Sequence, residues 1–280
     1  MLLAIDIGNT HTKLSVYAGA EQLAGWRLAT TGERTADEFA VTLGALMRGR
    51  GLDLRDVEAV AICSVVPPAL GPVVTMVRRD LGLEPLVLGP DTDTGMPVAY
   101  ENPRELGADR IANAVAARAE YGAPVIVVDL GTATKWEVVS PEGVYLGGAI
   151  APGVAVSLDA LFRRAARLSR IELARPARAI GRSTVEALRA GVLFGFAGQI
   201  DAVVDRIQAE LGHPAPVVAT GGLAALIAPE SRRIQHVDPH LTLKGLRLIY
   251  EHHRARDGAG TGARQDHLPP GASHEAGRSG

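Results

Sequence analysis

The chain has 280 residues, 47% of them hydrophobic and 21% charged, and carries a formal net charge of −2. That length suits two domains of ordinary size, each with a core. The near balance of charge excludes the electrostatic footprint of a nucleic-acid or anionic-membrane binder, and a single cysteine, Cys63, excludes an internal disulfide and fits a reducing cytosol.

The opening "MLLAIDIG" has no basic start and is interrupted by Asp6, so no targeting segment is expected. No uninterrupted apolar run approaches the roughly 20 residues that span a bilayer. A soluble cytoplasmic protein is the expectation.

Residues 2–8 predict a strand ending at an acid and a glycine, 12–19 a second strand folding back, and 23–30 a third. Residues 35–51 predict a helix, with Thr35 and Glu38 as a capping box and Gly51 as its stop. A buried strand over 57–66 halts at Pro67–Pro68, a helix covers 69–82, and a short strand covers 85–89. The next helix is expected over 101–122, with Asn102 as cap, Pro103 in the first turn and Glu105 completing a box.

Then the scheme restarts. Strands are predicted over 124–131, 135–143 and 144–151, helices over 153–168 and from Ser183 to about Leu211. A strand over 215–222, a short helix over 223–228, a strand over 233–238 and a closing helix over 241–254 complete it. Both halves read as three strands followed by alternating helices and strands. The expected fold class is α/β, two similar domains over 1–118 and 119–256, with residues 257–280 a disordered, Gly- and Ala-rich tail.

The repeat extends to individual residues. With one position gapped, Asp6-Ile7-Gly8 lies over Asp129-Leu130-Gly131, and Thr12-Lys13 over Thr134-Lys135. An acid, a glycine and hydroxyl residues between two strands suit phosphate: glycine admits close backbone approach and turn amides converge on the oxygens. A strand-end acid can hold Mg²⁺ beside phosphates, and a lysine can reach back as a point charge. No GxxxxGK[ST] loop is present; "IGRST", Ile180–Thr184, comes nearest but has Pro176 and Arg182 where that loop needs glycine and lysine. The paired loops resemble the acetate and sugar kinase, heat-shock ATPase and actin superfamily, which implies ribonuclease H-like domains with a nucleotide cleft between them. "VVATGG", Val217–Gly222, resembles its third signature. Between the loops, Asp109–Arg110 beside Gly107 could serve a small alcohol substrate: the carboxylate accepts the hydroxyl proton and the guanidinium pairs with an anion. The plainer reading is an exposed charge pair on a helix.

The ordered set "DIGNTHTK", "YENPRELGADR", "DLGTAT", "GGAIAPG", "IGRSTVEALRAG", "ATGGLA" and "HVDPHLTLKGLRLIYE" resembles type III pantothenate kinase from Leu2 to Glu251. The resemblance implies ATP-dependent phosphorylation of pantothenate, the first step toward coenzyme A, with ATP, Mg²⁺ and a monovalent cation, K⁺ or NH₄⁺, in a homodimer. It implies that Asp6, Gly8, Asn9, Thr10, Thr12 and Lys13 form the first phosphate loop, with Asp6 near Mg²⁺, and that Thr132 touches ATP. It implies that Tyr100, Gly107, Ala108, Asp109 and Arg110 bind pantothenate, with Asp109 as general base. It places Asp129 at the monovalent cation and Thr184 against pantothenate near the dimer interface. Ser183 and Glu186 around Thr184 also make an ordinary capping box.

The chain departs from that family where Lys135-Trp136-Glu137 stands in place of threonine, an aromatic and aspartate. Lys135 then either replaces the external cation or points to solvent on an alternating strand. His11, where asparagine is frequent, is a milder change. The alternative functions are a non-catalytic accessory regulator of the same family and a superfamily kinase acting on another small alcohol or acid.

Overall fold

The structure, a computed structural model, describes residues 1–165 and 170–262, with side chains through Arg256. Three strands open the chain: β1 (Leu2–Ile7), β2 (His11–Ala18) and β3 (Glu21–Ala29). Helix α1 (Ala36–Arg48) starts at the expected box: the Thr35 amide donates to Glu38 Oε2 at 2.8 Å and the Glu38 amide to Thr35 Oγ1 at 3.2 Å. Strand β4 (Ala59–Ser64), helix α2 (Pro67–Met76) and the two-residue β5 (Leu86–Val87) complete the first sheet, in the order β3-β2-β1-β4-β5. Pro67 and Pro68 open α2 rather than merely ending the strand, because the first helical amides need no partner.

The second half comprises α3 (Ala108–Tyr121), β6 (Val125–Leu130), β7 (Ala133–Val139), β8 (Tyr145–Pro152), α4 (Val154–Arg164), α5 (Thr184–Leu211), β9 (Val217–Thr220), α6 (Ala224–Ile227), β10 (His236–Val237) and α7 (Leu241–Gly262). Its sheet runs β10-β9-β6-β7-β8. The pairing repeats that of the first sheet, with antiparallel β6–β7–β8 and parallel β6–β9–β10. The duplication is exact in register where it matters: Asp6 faces Lys13 across β1–β2, and Asp129 faces Lys135 across β6–β7.

The two sheets share one central core. Leu2, Ala4 and Cys63 of the first sheet pack with Val125, Val127 and Val218 of the second through α3 and α7. Helices α1 and α2 cover the far side of the first sheet, and α4, α5 and α6 that of the second. Helix α7 therefore lies against β1, β2 and β4 although it closes the chain. A division near residue 118 assigns this last helix to the second domain, and it packs against α3 as well as those first-sheet strands. At the α3–α7 crossing a Cβ on Gly245 would lie 1.9 Å from the Ala112 carbonyl oxygen, so only glycine lets the backbones approach this closely.

Two expectations are corrected. The helix expected over 101–122 is broken: Pro103–Glu105 make a short 3₁₀ turn capped by Asn102, and α3 begins only at Ala108. Helix α7 continues past Asp257, where the tail was expected to begin, to Gly262; residues 263–280 lie outside the described residues, as do 166–169 at the end of the helix expected over 153–168. Helix α5 is long and apolar enough to cross a membrane by length and composition alone. One face of it, Leu193, Ala197, Ile200 and Val204, is buried in the core under the second sheet.

Candidate active site

The break before α3 positions the central carboxylate. Gly107 caps α3 in an extended conformation, and a Cβ there would lie 2.6 Å from Asp109 Oδ1. Glycine thus leaves room for the Asp109 side chain to fold back over its own helix end, where the Arg110 amide donates to Oδ1 at 2.9 Å. A carboxylate in the first turn is also favoured by the helix dipole. The second oxygen, Oδ2, accepts from Lys135 Nζ at 2.5 Å, and the same ammonium lies 2.8 Å from Asp129 Oδ2. Lys135 is 13% exposed, so it does not point to solvent. Burial works against its charge, but Asp129, Asp109 and Glu137 hold its pKa well above the usual lysine value.

Asp6 stands at the matching strand end and is buried. The Cys63 thiol donates to its Oδ1 at 3.4 Å, and Lys13 Nζ is 3.9 Å from Oδ2. Burial pushes its carboxyl up to about 6; Lys13 opposes the shift, and Asp109 and Asp129 add to it. The acids of β1, β6 and α3 therefore sit in one another's field. Burial raises the Cys63 thiol well above its ordinary pKa, which suits a buried strand residue rather than a nucleophile.

The two turns meet: Thr10 Oγ1 lies 3.3 Å from Thr132 Oγ1. Each turn closes alike, with the Gly8 amide donating to the His11 carbonyl and the Gly131 amide to the Ala133 carbonyl, both at 3.1 Å. Asn9 and Thr10 are exposed at the first tip. Burial, Arg27 and Lys13 hold the His11 imidazole below its ordinary pKa, toward its neutral form.

On the other side of Asp109, Arg110 is buried between two tyrosines, its guanidinium 5.9 Å from the centroids of both Tyr100 and Tyr145. Beneath it lies Glu137, fully buried, with Oε1 3.9 Å from Arg110 Nε. Both Glu137 oxygens, Arg110 Nε and Tyr145 Oη have no hydrogen-bond partner among the described residues. Burial pushes the Glu137 carboxyl up to about 8; Lys135 and Arg110 oppose the shift, and Asp129 and Asp109 add to it. A cavity of about 430 Å³ adjoins Gly107 and Ala108, walled by Leu88, Met96, Val98 and Ile111.

Asp6, Lys13, Asp109, Arg110, Asp129 and Tyr100 are thus neighbours through shared contacts or fields, and Thr10 meets Thr132. Thr12 is not brought into this group: it is buried with its hydroxyl 2.9 Å from Thr30 Oγ1, because alternation along β2 turns it away from Lys13. Thr184 is the exposed first residue of α5, and no hydrogen bond or ion pair among the described residues joins it to Asp109. Sequence reasoning missed Tyr145 and the burial of Glu137. The spacing held one signal: residues 135 and 137 of a strand share a face.

The family model for type III pantothenate kinase matches residues 2–206. The type III pantothenate kinase of Moorella thermoacetica is 53% identical over 251 residues, covering 90% of this chain and 99% of that protein. That of Myxococcus xanthus is 50% identical over 255 residues, covering 91% and 100%. Among solved structures, the activator of 2-hydroxyisocaproyl-CoA dehydratase from Clostridium difficile, with bound ADPNP, superposes with a TM-score of 0.58 at 14% identity, covering 97% of this chain and 99% of that one. At that identity the likeness is one of fold, two ribonuclease H-like domains.

Proposed function

The chain belongs to the type III pantothenate kinase family and is a phosphotransferase that phosphorylates pantothenate on the way to coenzyme A, and we propose that Asp109 activates the substrate hydroxyl. The observation that carries this is the position of Asp109: one oxygen is fixed by its own helix end, the other by Lys135, and the acids of both strand ends lie beside it.

In this reading the primary hydroxyl of pantothenate attacks the γ-phosphorus of ATP in line with the departing ADP oxygen. Asp109 accepts the hydroxyl proton as the O–P bond forms. Little covalent work falls to the protein, and positioning with charge neutralisation supplies most of the acceleration. Gly8, Asn9, Thr10 and Thr132 receive the phosphates, and Lys13 adds a point charge. Arg110, held between Tyr100 and Tyr145, pairs with the substrate carboxylate, while Tyr100 and the Gly107–Ala108 turn shape its seat. The adjoining cavity, about 430 Å³, is within the range of small-molecule sites.

Mg²⁺ fits the donor set at Asp6, a buried carboxylate whose charged form burial disfavours and a cation would restore. No group of three or more His, Cys, Asp or Glu stands ready for a metal among the described residues, as suits an ion held chiefly by phosphates and water. When bound, Mg²⁺ would neutralise charge on the transferring phosphates.

A homodimer is proposed on the exposed apolar residues Leu146 and Ile150 of β8, Val156 and Leu161 of α4, Ile180 ahead of α5 and Val185 within it. Thr184 would contact pantothenate from that interface. A cytoplasmic location is proposed on the buried, unpaired Cys63.

A coupled ADP-release assay with ATP and Mg²⁺ tests the reading. Turnover that depends on pantothenate supports it; ADP release that pantothenate does not change refutes it.

A further inference from the structure

The cleft concentrates negative charge. Asp109 and Asp129 flank Lys135 there, Asp6 lies within their field, and Glu137 is fully buried. Carboxylates this close repel one another, and little water reaches them to screen the repulsion. A cation standing among them relieves that repulsion. The resemblance led to a dissociable monovalent ion beside Asp129, but the residues present do not fit one. Lys135 Nζ occupies the space, 2.8 Å from Asp129 Oδ2 and 2.5 Å from Asp109 Oδ2. The contact to Asp129 is at a charge-assisted hydrogen-bond distance and the contact to Asp109 is closer still, so an ion bridging the same two oxygens would overlap the ammonium.

We infer that Lys135 is a tethered monovalent cation: its ammonium performs, as part of the chain, the charge balancing and base positioning that a dissociable potassium or ammonium ion would otherwise supply. The inference rests on the kinase reading above and goes beyond it. The register of the duplicated hairpin explains how a lysine reaches this point. Residue 135 faces Asp129 across β6–β7, and α3 brings Asp109 over the same face. Glu137, two residues on, shares that face and is fully buried. A tethered cation incurs no cost of capture from solution, so its presence does not depend on the salt in the buffer.

The test compares the unmodified protein with Lys135→Ala and Lys135→Met. Pantothenate-dependent ADP release by the unmodified protein is expected to be the same in sodium buffer and after addition of potassium or ammonium. Its melting temperature should also be unmoved by exchanging sodium for either ion. Lys135→Ala leaves two carboxylates without their partner and opens a space. Its turnover should fall by about 10²-fold or more in sodium. Added ammonium or potassium should restore about tenfold or more of it and raise its melting temperature, as a cation binding only the native state does. Lys135→Met fills the space without charge and should not be rescued. A merely structural lysine would give no ion-specific rescue.

Strong stimulation of the unmodified protein by potassium overturns the inference while leaving the kinase reading intact. Full activity of Lys135→Ala in sodium, or a folded Lys135→Ala that neither ion rescues, overturns it equally. If Lys135→Ala does not fold, the ion comparison on the unmodified protein decides alone. Absence of pantothenate-dependent turnover in every buffer refutes the kinase reading, and the inference with it.

Discussion

Thr10 and Thr132, one from each half of the duplicated chain, bring their hydroxyls to 3.3 Å across the cleft. Two tight turns at the ends of equivalent strands thus face each other at the distance of a hydrogen bond. A nucleotide phosphate between them would exchange this weak neutral contact for charge-assisted ones, which are stronger. Thr132→Val keeps the shape and removes the donor. The KM for ATP is expected to rise about tenfold, the worth of one hydrogen bond to a charged group, with kcat changed less. Initial rates over an ATP titration check it; an unchanged KM would remove Thr132 from the phosphate site.

Asp109 is held at both oxygens, which is the state of a positioned base rather than a free surface acid. Asp109→Asn keeps the side chain's size and can still accept from the Arg110 amide. Turnover should drop by about 10²–10⁴-fold while the melting temperature shifts little. A variant with near-full turnover would rule Asp109 out as the proton acceptor.

Glu137 makes stability depend on pH in a definite direction. Its carboxyl is raised by burial from an ordinary 4.5 to about 8. Between those values the native state holds a proton that the unfolded chain has released, so stability is lost as pH rises through the window. Glu137→Gln removes this titration. Relative to the unmodified protein, the variant should be more stable near pH 8 than near pH 5, a comparison that denaturant melts at about those two values make directly. An identical difference at both would show that Glu137 is charged throughout.

The α3–α7 crossing tolerates no side chain at Gly245, where a Cβ would meet the Ala112 carbonyl oxygen at 1.9 Å. Gly245→Ala gains helix propensity but forces the helices apart, and overpacking of this kind costs about 1–3 kcal/mol. A lower melting temperature is expected. Because α3 carries Asp109, kcat should fall as well; an unchanged melting temperature would mean the helices can part freely.

The sequence by itself determined the α/β class, the duplication and most of the residues that gather at the cleft. Alternation and breaker residues act locally, and the repeat of Asp-x-Gly with a following Thr-Lys is visible as spelling. It also showed Lys135 and Glu137 as departures. It did not show that the helix expected from residue 101 breaks before Ala108, because Asn102 and Pro103 form a sound start that the 3₁₀ turn uses up in three residues. The break falls where Gly107 leaves room for the Asp109 side chain, whose other oxygen is held by Lys135 from a distant strand. Nor could spacing distinguish a lysine facing solvent from one between two carboxylates, since both lie on an alternating strand. That was decided when α3, folded against both sheets, brought Asp109 to within 2.5 Å of Lys135. Local pattern fixes which face a side chain occupies; only long-range packing fixes what stands opposite it, and the charge of that neighbour sets whether the residue is solvated or part of the site.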